Sequence, residues 1–525
     1  MSNLSHPPYF NFGRDVVDHW AKSKDKPALI WVAADGREAK FSFSDVARIT
    51  AKLASSLVRA GIGKGDRVLV MMPRIPEWQI AMVACLKLGA VAVPCIEMLT
   101  AKDIAYRVER AEVKGVITTA AQISKFVSLS DNLVVKVAVG GGEGWLDFAA
   151  LVEAGDETFT PIEVAAEDPA LLYFTSGSTG QPKGVLHASR GIWHWRHSAA
   201  EWLDLTSDDL MWCTADTGWS KAGTSILFGP WSCGSCVLFY DGPFDAAERL
   251  RLLQHYGVTV YCAAGTEILR LLDQPTGNYD LSRLRRTVSA GEALSEVAIA
   301  GWRRATGETV AEAYGQTESL MSIGHRADTG HKPQSMGKPL AHNEMAVIDD
   351  DGRVLPDGAV GELAMRAPNP QLMLGYWNDP ERTENCYIDG PDGRWFRTGD
   401  RAERDEDGFF FHRGRRDDVI NSSGYRIGPA EVEDVLLAHP AVAEVGVVGA
   451  PDAARGELVC AYVVLRPGQE VTAADLQAFA KAQTAPYKYP RIIRFMNKLP
   501  KTLTGKIQRN VLRDHAVREA AKDEE

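Results

Sequence analysis

The chain lacks the features of a membrane, secreted or nucleic-acid-binding protein. Its longest apolar region, residues 80–96, is interrupted by Lys87 and Gly89, and residues 1–15 contain no basic stretch followed by an apolar core. The formal net charge of −11 comes without a run of lysine and arginine, which argues against nonspecific binding to nucleic acid or to an anionic membrane surface. We therefore expect a cytoplasmic protein that acts on small molecules.

Cysteine is sparse, and the spacing of metal-binding motifs is missing. The eight cysteines are scattered through apolar surroundings, and Cys233 and Cys236 have no second close pair that would complete a tetrahedral zinc site. We expect buried free thiols, no structural metal and no disulfide framework. His194 and His197 stand beside tryptophans, a pattern that favours the surface of a helix or loop over a set of metal ligands.

Apolar runs that alternate with helix-like segments predict an α/β fold. The order of strand, helix and strand in residues 67–118 recurs in residues 258–304 and is typical of parallel sheets with helices on both faces. A chain of 525 residues exceeds one usual core, so we expect a large N-terminal domain, 1–415, and a small α+β domain, 416–525. Short β-like runs with Asp/Gly turns predict a β-rich subdomain at about 340–415.

The most informative segment is a hydroxyl- and glycine-rich loop at 175–184, directly after the apolar residues 170–174. Glycines let backbone N–H groups face an anion, hydroxyls add donors, and Lys183 supplies a positive charge. The segment therefore favours a polyphosphate site over a solvated turn. The candidate phosphate-binding residues are Thr175, Ser176, Gly177, Ser178, Thr179, Gly180 and Lys183.

Other glycine motifs do not fit this chain. A Walker A loop needs Gly-Lys followed by Ser or Thr, whereas a proline precedes Lys183 and a glycine follows it. Neither Ser176 nor Ser178 stands in the Gly-x-Ser-x-Gly frame of a hydrolase elbow. The glycine run 140–144 has Trp145 where a dinucleotide fingerprint needs its third glycine, so we expect a turn there.

Six motifs in order resemble the ATP-dependent, AMP-forming acyl-CoA synthetases of the adenylate-forming superfamily, which includes acetyl-CoA synthetases and luciferases. They cover most of the chain and lie at residues 175–184, 311–318, 376–380, 397–400, 414–426 and 500–506. The resemblance implies a ligase that converts a carboxylic acid, ATP and CoA to acyl-CoA, AMP and pyrophosphate through an acyl-adenylate. It also implies Mg²⁺ as the metal.

The resemblance assigns the nucleotide site. The Asp400 carboxylate has two acceptor oxygens that suit neighbouring ribose hydroxyls. Thr317 is assigned to the α-phosphate, and Glu318 to the Mg²⁺ that bridges phosphate oxygens, because hard cations prefer carboxylate ligands. The remaining contacts to adenine, ribose and phosphate are assigned to Gly291, Glu292, Ala293, Glu312, Ala313, Tyr314, Gly315, Gln316, Arg415 and Arg426.

Lys506 is the residue expected to drive adenylate formation. Attack of a carboxylate on the α-phosphate brings two anions together, and a cation placed there lowers the barrier. The resemblance implies that the C-terminal domain rotates about a hinge at Asp417 and exchanges Lys506 for a tunnel for the CoA thiol. It assigns CoA contacts to Ser423, Gly424, Tyr425 and Arg455, and it implies a lysine acetyltransferase and a deacetylase as partners that act on Lys506.

The acyl pocket is expected to be deeper than that of acetate-specific relatives, which carry a tryptophan where this chain has Gly315. Family analogy adds Trp219, Gly223, Thr224 and Gly265 to the pocket. The chain is similar to medium-chain acyl-CoA synthetases, so a medium-chain or branched fatty acid is expected. The alternatives are an aromatic or alicyclic, benzoate-like acid, adenylation with transfer to a carrier protein, and a nucleotide sensor without catalysis.

Overall fold

The computed structural model describes residues 5–175, 182–291, 294, 296–340, 343–415, 418, 420–422, 425–452, 456–484, 488–502 and 505–523. The chain divides into two compact units. The first contains Met1–Met345 and Arg366–Tyr387, and the second contains Ala346–Met365 and Ile388–Glu525.

The strands of the structure are short, and in chain order they are β1 (Pro27–Ala33), β2 (Glu38–Ser42), β3 (Arg67–Val70), β4 (Val91–Pro94), β5 (Val113–Thr119), β6 (Val135–Val139), β7 (Leu146–Asp147), β8 (Pro169–Thr175), β9 (Lys183–Ala188), β10 (Leu210–Cys213), β11 (Cys236–Asp241), β12 (Val260–Cys262), β13 (Arg286–Ala290), β14 (Val310–Gln316), β15 (Leu320–Gly324), β16 (Lys338–Pro339), β17 (Met345–Ile348), β18 (Val360–Arg366), β19 (Gly375–Tyr376), β20 (Tyr387–Gly390), β21 (Gly393–Arg404), β22 (Phe410–Arg415), β23 (Ile420–Ser422), β24 (Tyr425–Ile427), β25 (Val442–Asp452), β26 (Gly456–Leu465) and β27 (Ile492–Phe495).

The α-helices, in the same order, are α1 (Asp18–Trp20), α2 (Phe43–Arg59), α3 (Pro76–Lys87), α4 (Ala101–Arg110), α5 (Phe148–Glu153), α6 (Ser189–Ser198), α7 (Ser220–Ala222), α8 (Gly229–Ser232), α9 (Ala246–Tyr256), α10 (Gly265–Leu272), α11 (Glu296–Thr306), α12 (Pro380–Glu384), α13 (Pro429–Leu437), α14 (Ala473–Gln483) and α15 (Arg509–Asp523). Further 3₁₀ or π-helical segments are Gly13–Val17, Ala120–Asn132, Ala199–Leu203, Gly223–Phe228 and Thr276–Asn278.

Two large sheets form the first unit. One has the strand order β16-β15-β14-β13-β12-β10-β11-β1-β2, and the other has the order β19-β9-β8-β4-β3-β5-β6-β7. Parallel pairs β3–β4, β12–β13 and β13–β14 are joined through helices α3, α10 and α11. These β-α-β units are the ones that the apolar rhythm of the sequence predicts.

Alternating side chains on the strands produce the layers of this unit. Val68 and Val70 of β3 face a core shared with the nine-stranded sheet, whereas Leu69 faces the opposite side. There Ile104 and Val108 of α4 cover the eight-stranded sheet. Burial of each such side chain stabilises the fold by about 1.5–3 kcal/mol. The layered α/β architecture expected from the sequence is confirmed.

The second unit contains two antiparallel-rich sheets. The first has the order β17-β18-β21-β20 with β22 on β21, and the second has the order β24-β23-β26-β25 with β27 on β26. Helices α13 and α14 pack on one face of the second sheet, and α15 packs on the other. The second unit thus contains both the β-rich region and the α+β region that the sequence predicts, and the predicted domain boundary between residues 415 and 416 stays a prediction. Among the described residues of both units, no helix is long and apolar enough to cross a bilayer.

Two expectations about polar and reactive side chains need correction. His194 lies in α6 as expected, but it is only 5 % exposed and packs edge-on against Trp193 instead of lying on the surface. The thiols of Cys233, Cys236 and Cys386 are half-buried, whereas the other cysteines are buried as predicted. The reason is packing: apolar neighbours in the sequence do not reveal how completely other segments cover a side chain.

Candidate active site

The glycine-rich loop joins two antiparallel strands instead of a strand and a helix. It leaves β8 at Thr175 and re-enters β9 at Lys183, and these two residues are direct partners in the β-ladder. The hydroxyl of Tyr106 donates to the carbonyl of Pro182 at 2.9 Å, which ties the end of the loop to α4. The predicted phosphate-binding residues Ser176, Gly177, Ser178, Thr179 and Gly180 lie outside the described residues.

A cluster of three charged or polar side chains lies at the end of this loop. Lys183 Nζ lies 2.8 Å from Glu318 Oε1 and donates to the hydroxyl of Tyr376 at 2.6 Å. Tyr376 in turn donates to Glu318 Oε1 at 2.8 Å. These contacts are made to Oε1, which leaves Oε2 as the oxygen suited to a cation such as Mg²⁺. The donor set therefore fits the metal that the resemblance implies.

Electrostatics keep Glu318 ionised although the residue is only 8 % exposed. Burial opposes the charge, but the Lys183 ammonium and the Tyr376 hydroxyl outweigh it and hold the pKa of Glu318 below its ordinary value. Burial and the neighbouring carboxylate raise the pKa of Tyr376, so that its hydroxyl remains a donor. The sequence placed Tyr376 in a motif but gave it no role.

Thr317 is held by its backbone as well as by its hydroxyl. The Nε2 atom of His187 lies 2.7 Å from the Thr317 carbonyl oxygen, and the hydroxyls of Ser220 and Thr317 are 3.4 Å apart. Burial lowers the pKa of His187 to about 4, so the ring is neutral at pH 7 and Nε2 carries the hydrogen that it donates. His187 is therefore a positioning residue that sequence reasoning missed, and Ser220, which family analogy places in a segment lining the acyl cavity, contacts Thr317 instead.

The predicted adenine walls meet at the carboxyl ends of β13 and β14. Ala290 pairs with Ala313 in parallel register, and Gly291 has a φ of +100° with open space beside its Cα. Lys221, which the sequence did not single out, donates to the carbonyl of Ala290 at 3.1 Å. Ligands of α/β sheets commonly bind at such strand ends. Tyr314 and Gln316 lie on the same strand, whereas Glu292 and Ala293 lie outside the described residues.

Glu312 is a buried carboxyl with an unusual proton affinity. Its Oε1 accepts a hydrogen bond from the backbone N–H of Leu294 at 2.9 Å. Burial raises the pKa of Glu312 from 4.5 to about 7. Between these values the folded protein keeps a proton that the unfolded chain releases, so folding is favoured at low pH and this contribution is lost as the pH rises through 7.

We expect the Glu312→Gln variant to lose this pH dependence, because an amide does not titrate in this range. In the parent protein, ionisation of the Glu312 carboxyl should lower the free energy of unfolding by about 2 kcal/mol as the pH rises from 5 to 8. Urea denaturation of both proteins across this range measures the difference, and the exposed Glu153→Gln serves as control. Parallel stability curves for parent and Glu312→Gln would contradict the prediction.

The residues predicted to line the acyl pocket lie in different surroundings. Trp219 is half-buried against the outer core of the eight-stranded sheet, and Gly265 begins α10. Gly223 is buried, and a Cβ there would lie 2.3 Å from the hydroxyl of Tyr173. Thr224 borders an apolar cavity of about 10 Å³ that Trp195 also lines, room for at most one water.

Gly315 is constrained by its own hairpin. A Cβ at this position would lie 2.1 Å from the carbonyl oxygen of Leu320 on the neighbouring strand. Absence of a side chain therefore first serves the close approach of β14 and β15. The contribution of Gly315 to the depth of an acyl pocket stays a prediction.

The second unit carries the predicted ribose contact. Asp400 lies in β21, is buried, and is the register partner of Arg415 in β22. Its Oδ1 lies 3.7 Å from Nε2 of His412. Arg426 and Tyr425 lie in β24, whose backbone pairs with β23. Asp417, Ser423, Gly424 and Arg455 lie outside the described residues.

Lys506 lies in a tight turn of the second unit and is exposed. Its backbone N–H donates to Thr502 Oγ1 at 3.1 Å, its carbonyl accepts from the Thr502 N–H at 2.8 Å, and Lys501 and Ile507 form an antiparallel bridge. Gly505, with a φ of +85°, makes the turn possible. These contacts fix the backbone from which the long cationic side chain of Lys506 extends.

Comparison with known proteins defines the class. The model of the AMP-binding enzyme family matches residues 16–377, and that of the AMP-binding enzyme C-terminal domain matches residues 431–506. The chain belongs to the AMP-binding enzyme family.

Individual relatives match over nearly their whole length. Rattus norvegicus acyl-coenzyme A synthetase ACSM3, mitochondrial, is 38% identical over 97% of this chain and 90% of its own length. An uncharacterized acyl–CoA ligase, YtcI of Bacillus subtilis (strain 168), is 40% identical over 97% of both chains. The crystal structure of the anthranilate CoA ligase AuaEII with anthranoyl-AMP is 29% identical, with a TM-score of 0.88 over 98% of this chain and 99% of that chain. The matches confirm the resemblance to AMP-forming acid–CoA ligases, with ATP, Mg²⁺ and CoA.

Proposed function

We propose that the protein activates a medium-chain or branched fatty acid with ATP and transfers the acyl group to CoA. The observation that carries this proposal is the cluster of Lys183, Glu318 and Tyr376 at the end of the glycine-rich hairpin, beside the Thr317 hydroxyl. The buried Glu318 carboxylate, next to the predicted phosphate-binding loop, can bind Mg²⁺. The Thr317 hydroxyl can donate a hydrogen bond to an oxygen of the α-phosphate.

The first half-reaction joins two anions. An oxygen of the acid forms a bond to the α-phosphorus, the bond from this phosphorus to the bridging oxygen breaks, and its electron pair leaves on pyrophosphate. Glu318 would hold Mg²⁺, which neutralises phosphate charge when bound. Thr317, fixed through its carbonyl by His187, orients a phosphate oxygen. Lys506 attracts the carboxylate and stabilises the charge that develops in the transition state.

The second half-reaction requires a different set of neighbours, because the thiol of CoA must reach the adenylate. We assign this step to a domain rotation of residues 416–525 about Asp417, with Ser423, Gly424 and Tyr425 along the thiol tunnel and Arg455 at a CoA phosphate. Asp400 and Arg415 hold the ribose of the adenylate throughout. Their direct pairing across β21 and β22 supports a common role.

The size of the acid is a separate part of the proposal, which the packing around Thr224 does not decide. The cavity of about 10 Å³ beside Thr224, bordered by Trp195, Trp202 and Met321, holds at most one water and is too small to receive an acyl chain. Each buried CH₂ is worth about 0.8 kcal/mol, so activity should rise several-fold per carbon until the space is filled.

An aromatic or alicyclic acid is the second candidate. It is favoured by the similarity to AuaEII, whose name records an anthranilate CoA ligase.

Cellular setting and regulation form a further part of the proposal. We place the protein in the cytoplasm, although ACSM3 is named as mitochondrial. The exposed position of Lys506 supports reversible acetylation by an acetyltransferase and a deacetylase, which would remove the charge needed for adenylation. Mass spectrometry of Lys506 in protein from its host, with and without deacetylase, tests this regulation.

The proposed function is tested by an acid panel. Purified protein, ATP, Mg²⁺ and CoA are combined with linear, branched and aromatic acids, and AMP formation is measured for each. The highest kcat/KM should belong to a medium-chain or branched acid. A maximum with benzoate-like acids would support the second candidate, and AMP formation with none of the acids would refute both.

The Gly424→Leu variant should separate the two half-reactions. A leucine side chain would fill the space that the pantetheine thiol needs, so thioester formation should fall by at least about 100-fold. Acid-dependent exchange of labelled pyrophosphate into ATP should stay within about twofold of the parent. The control is Gly277→Leu, where a Cβ meets nothing within 4 Å. Unchanged CoA turnover in Gly424→Leu would refute the tunnel assignment.

A further inference from the structure

A concave site adjoins the cluster of Lys183, Glu318 and Tyr376 and is lined by two of its members, Lys183 and Tyr376. It has a volume of about 300 Å³ and lies between α4, the start of β9 and the segment from β19 to α12. We name it the Arg110 pocket. Its lining includes Tyr106, Arg110, Lys183, Tyr376, Trp377, Asp379 and Arg382.

Hydrogen bonds between three chain segments fix the walls of the Arg110 pocket. The hydroxyl of Tyr106 donates to the carbonyl of Pro182 at 2.9 Å, and Trp377 Nε1 donates to the carbonyl of Arg110 at 3.0 Å. The backbone N–H of Trp377 donates to the carbonyl of Gly184 at 2.8 Å. Helix α4 is further fixed by a capping box of Thr100 and Asp103. The pocket is therefore preformed.

Cations dominate the Arg110 pocket. Lys183, Arg110 and Arg382 line it, and Asp379 is the carboxylate among its lining residues. Arg382 Nε lies 3.5 Å from Asp379 Oδ2, a distance that leaves a weak ion pair. Lys183 shares its charge with Glu318. Among the described residues that line the pocket, none forms a comparable ion pair with Arg110.

Arg110 uses only one of its three guanidinium nitrogens in the hydrogen bonds of the pocket wall. Its Nη2 donates to the carbonyls of Trp377 at 3.4 Å and Asn378 at 3.3 Å, both long contacts. Within the described parts of the chain, no carboxylate lies within 4 Å of this guanidinium. A guanidinium has five N–H donors in a planar fork that matches phosphate oxygens, so its Nε and Nη1 groups suit an incoming phosphate.

We propose that the Arg110 pocket is an anion subsite that receives the pyrophosphate leaving group. Lys183 joins the two sites, because it borders the pocket and also contacts Glu318 and Tyr376 in the candidate active site. Pyrophosphate released beside Lys183 can thus move onto Arg110 and Arg382 without losing contact with a cation. The assignment rests on the proposed function, which supplies the pyrophosphate.

The Arg110→Gln variant tests the subsite. Loss of one hydrogen bond to a charged group should raise the inhibition constant for pyrophosphate by about tenfold. The KM values for ATP and CoA should stay within about twofold, since their phosphates occupy other contacts. The matched control is Arg59→Gln, because Arg59 also ends a helix and donates to a backbone carbonyl, that of Ala154. Melting temperatures check that both variants are folded.

The outcomes separate this subsite from the function on which it rests. Equal pyrophosphate inhibition of parent and Arg110→Gln overturns the subsite, and so does an equal rise in the KM for ATP or CoA. Calorimetric titration with pyrophosphate, and with inorganic phosphate as the smaller anion, gives a readout that needs no turnover. Weaker pyrophosphate binding by Arg110→Gln supports the subsite even if no acid is activated, and that second result would refute only the proposed function.

Discussion

The Lys506→Ala variant should form acyl-adenylate at least about 100-fold more slowly than the parent protein. The lysine is expected to neutralise the repulsion between carboxylate and α-phosphate, and alanine leaves that charge uncompensated. Thioester formation from a supplied acyl-adenylate should be retained, because the adenylate is then already made. Single-turnover measurements of each half-reaction give the two rates separately.

A neighbouring lysine provides the control for this experiment. Lys501 lies in the same turn and pairs with Glu444 at 2.8 Å, so Lys501→Ala removes an equal charge without removing the proposed catalytic residue. We expect nearly parental adenylation from Lys501→Ala. If Lys506→Ala lost both half-reactions equally, the lysine would have a structural role instead.

The Glu318→Gln variant should lose adenylation by a similar factor, about 100-fold or more, for a different reason. An amide keeps the shape of the side chain and can accept the Tyr376 hydrogen bond, but it cannot carry the charge that attracts Mg²⁺. The apparent Mg²⁺ requirement should therefore shift to higher concentration. Pyrophosphate exchange measured as a function of Mg²⁺ separates this effect from a loss of folded protein.

A buried acid elsewhere in the same unit gives the matched control for Glu318. Asp209 is also buried and pairs with Arg285 at 2.6 Å, but it precedes β10 at the opposite end of the strand from the candidate site. Asp209→Asn should lower the melting temperature and leave the Mg²⁺ dependence unchanged. The same Mg²⁺ profile for Glu318→Gln and the parent would exclude a metal-binding role.

Local patterns explain why much of the fold could be predicted. The apolar rhythm of residues 67–118 and 258–304 predicts the β-α-β units, because strands and helices impose different spacings on buried side chains. The motif residues Asp400 and Arg415 could be assigned together from the resemblance, and the register of β21 and β22 pairs them. The resemblance to the family thus rests on short segments, and the roles that it assigns to their residues stay predictions.

Long-range pairing explains what the sequence did not reveal. His187 reaches the carbonyl of Thr317, and Tyr376 reaches Glu318, through strand registers that no local spacing encodes. The same is true of Gly315, whose close neighbour is the Leu320 carbonyl. The Arg110 pocket likewise depends on three segments that come together only in the folded chain.

The chain path limits how the first unit can be shortened. The segment Arg366–Tyr387 belongs to this unit although Ala346–Met365 belongs to the other. Its strand β19 pairs with β9 and delivers Tyr376 to Lys183. A fragment that stops at Met345 would leave β9 with an uncovered edge and expose it to aggregation, whereas one that ends after Tyr387 would retain its partner strand.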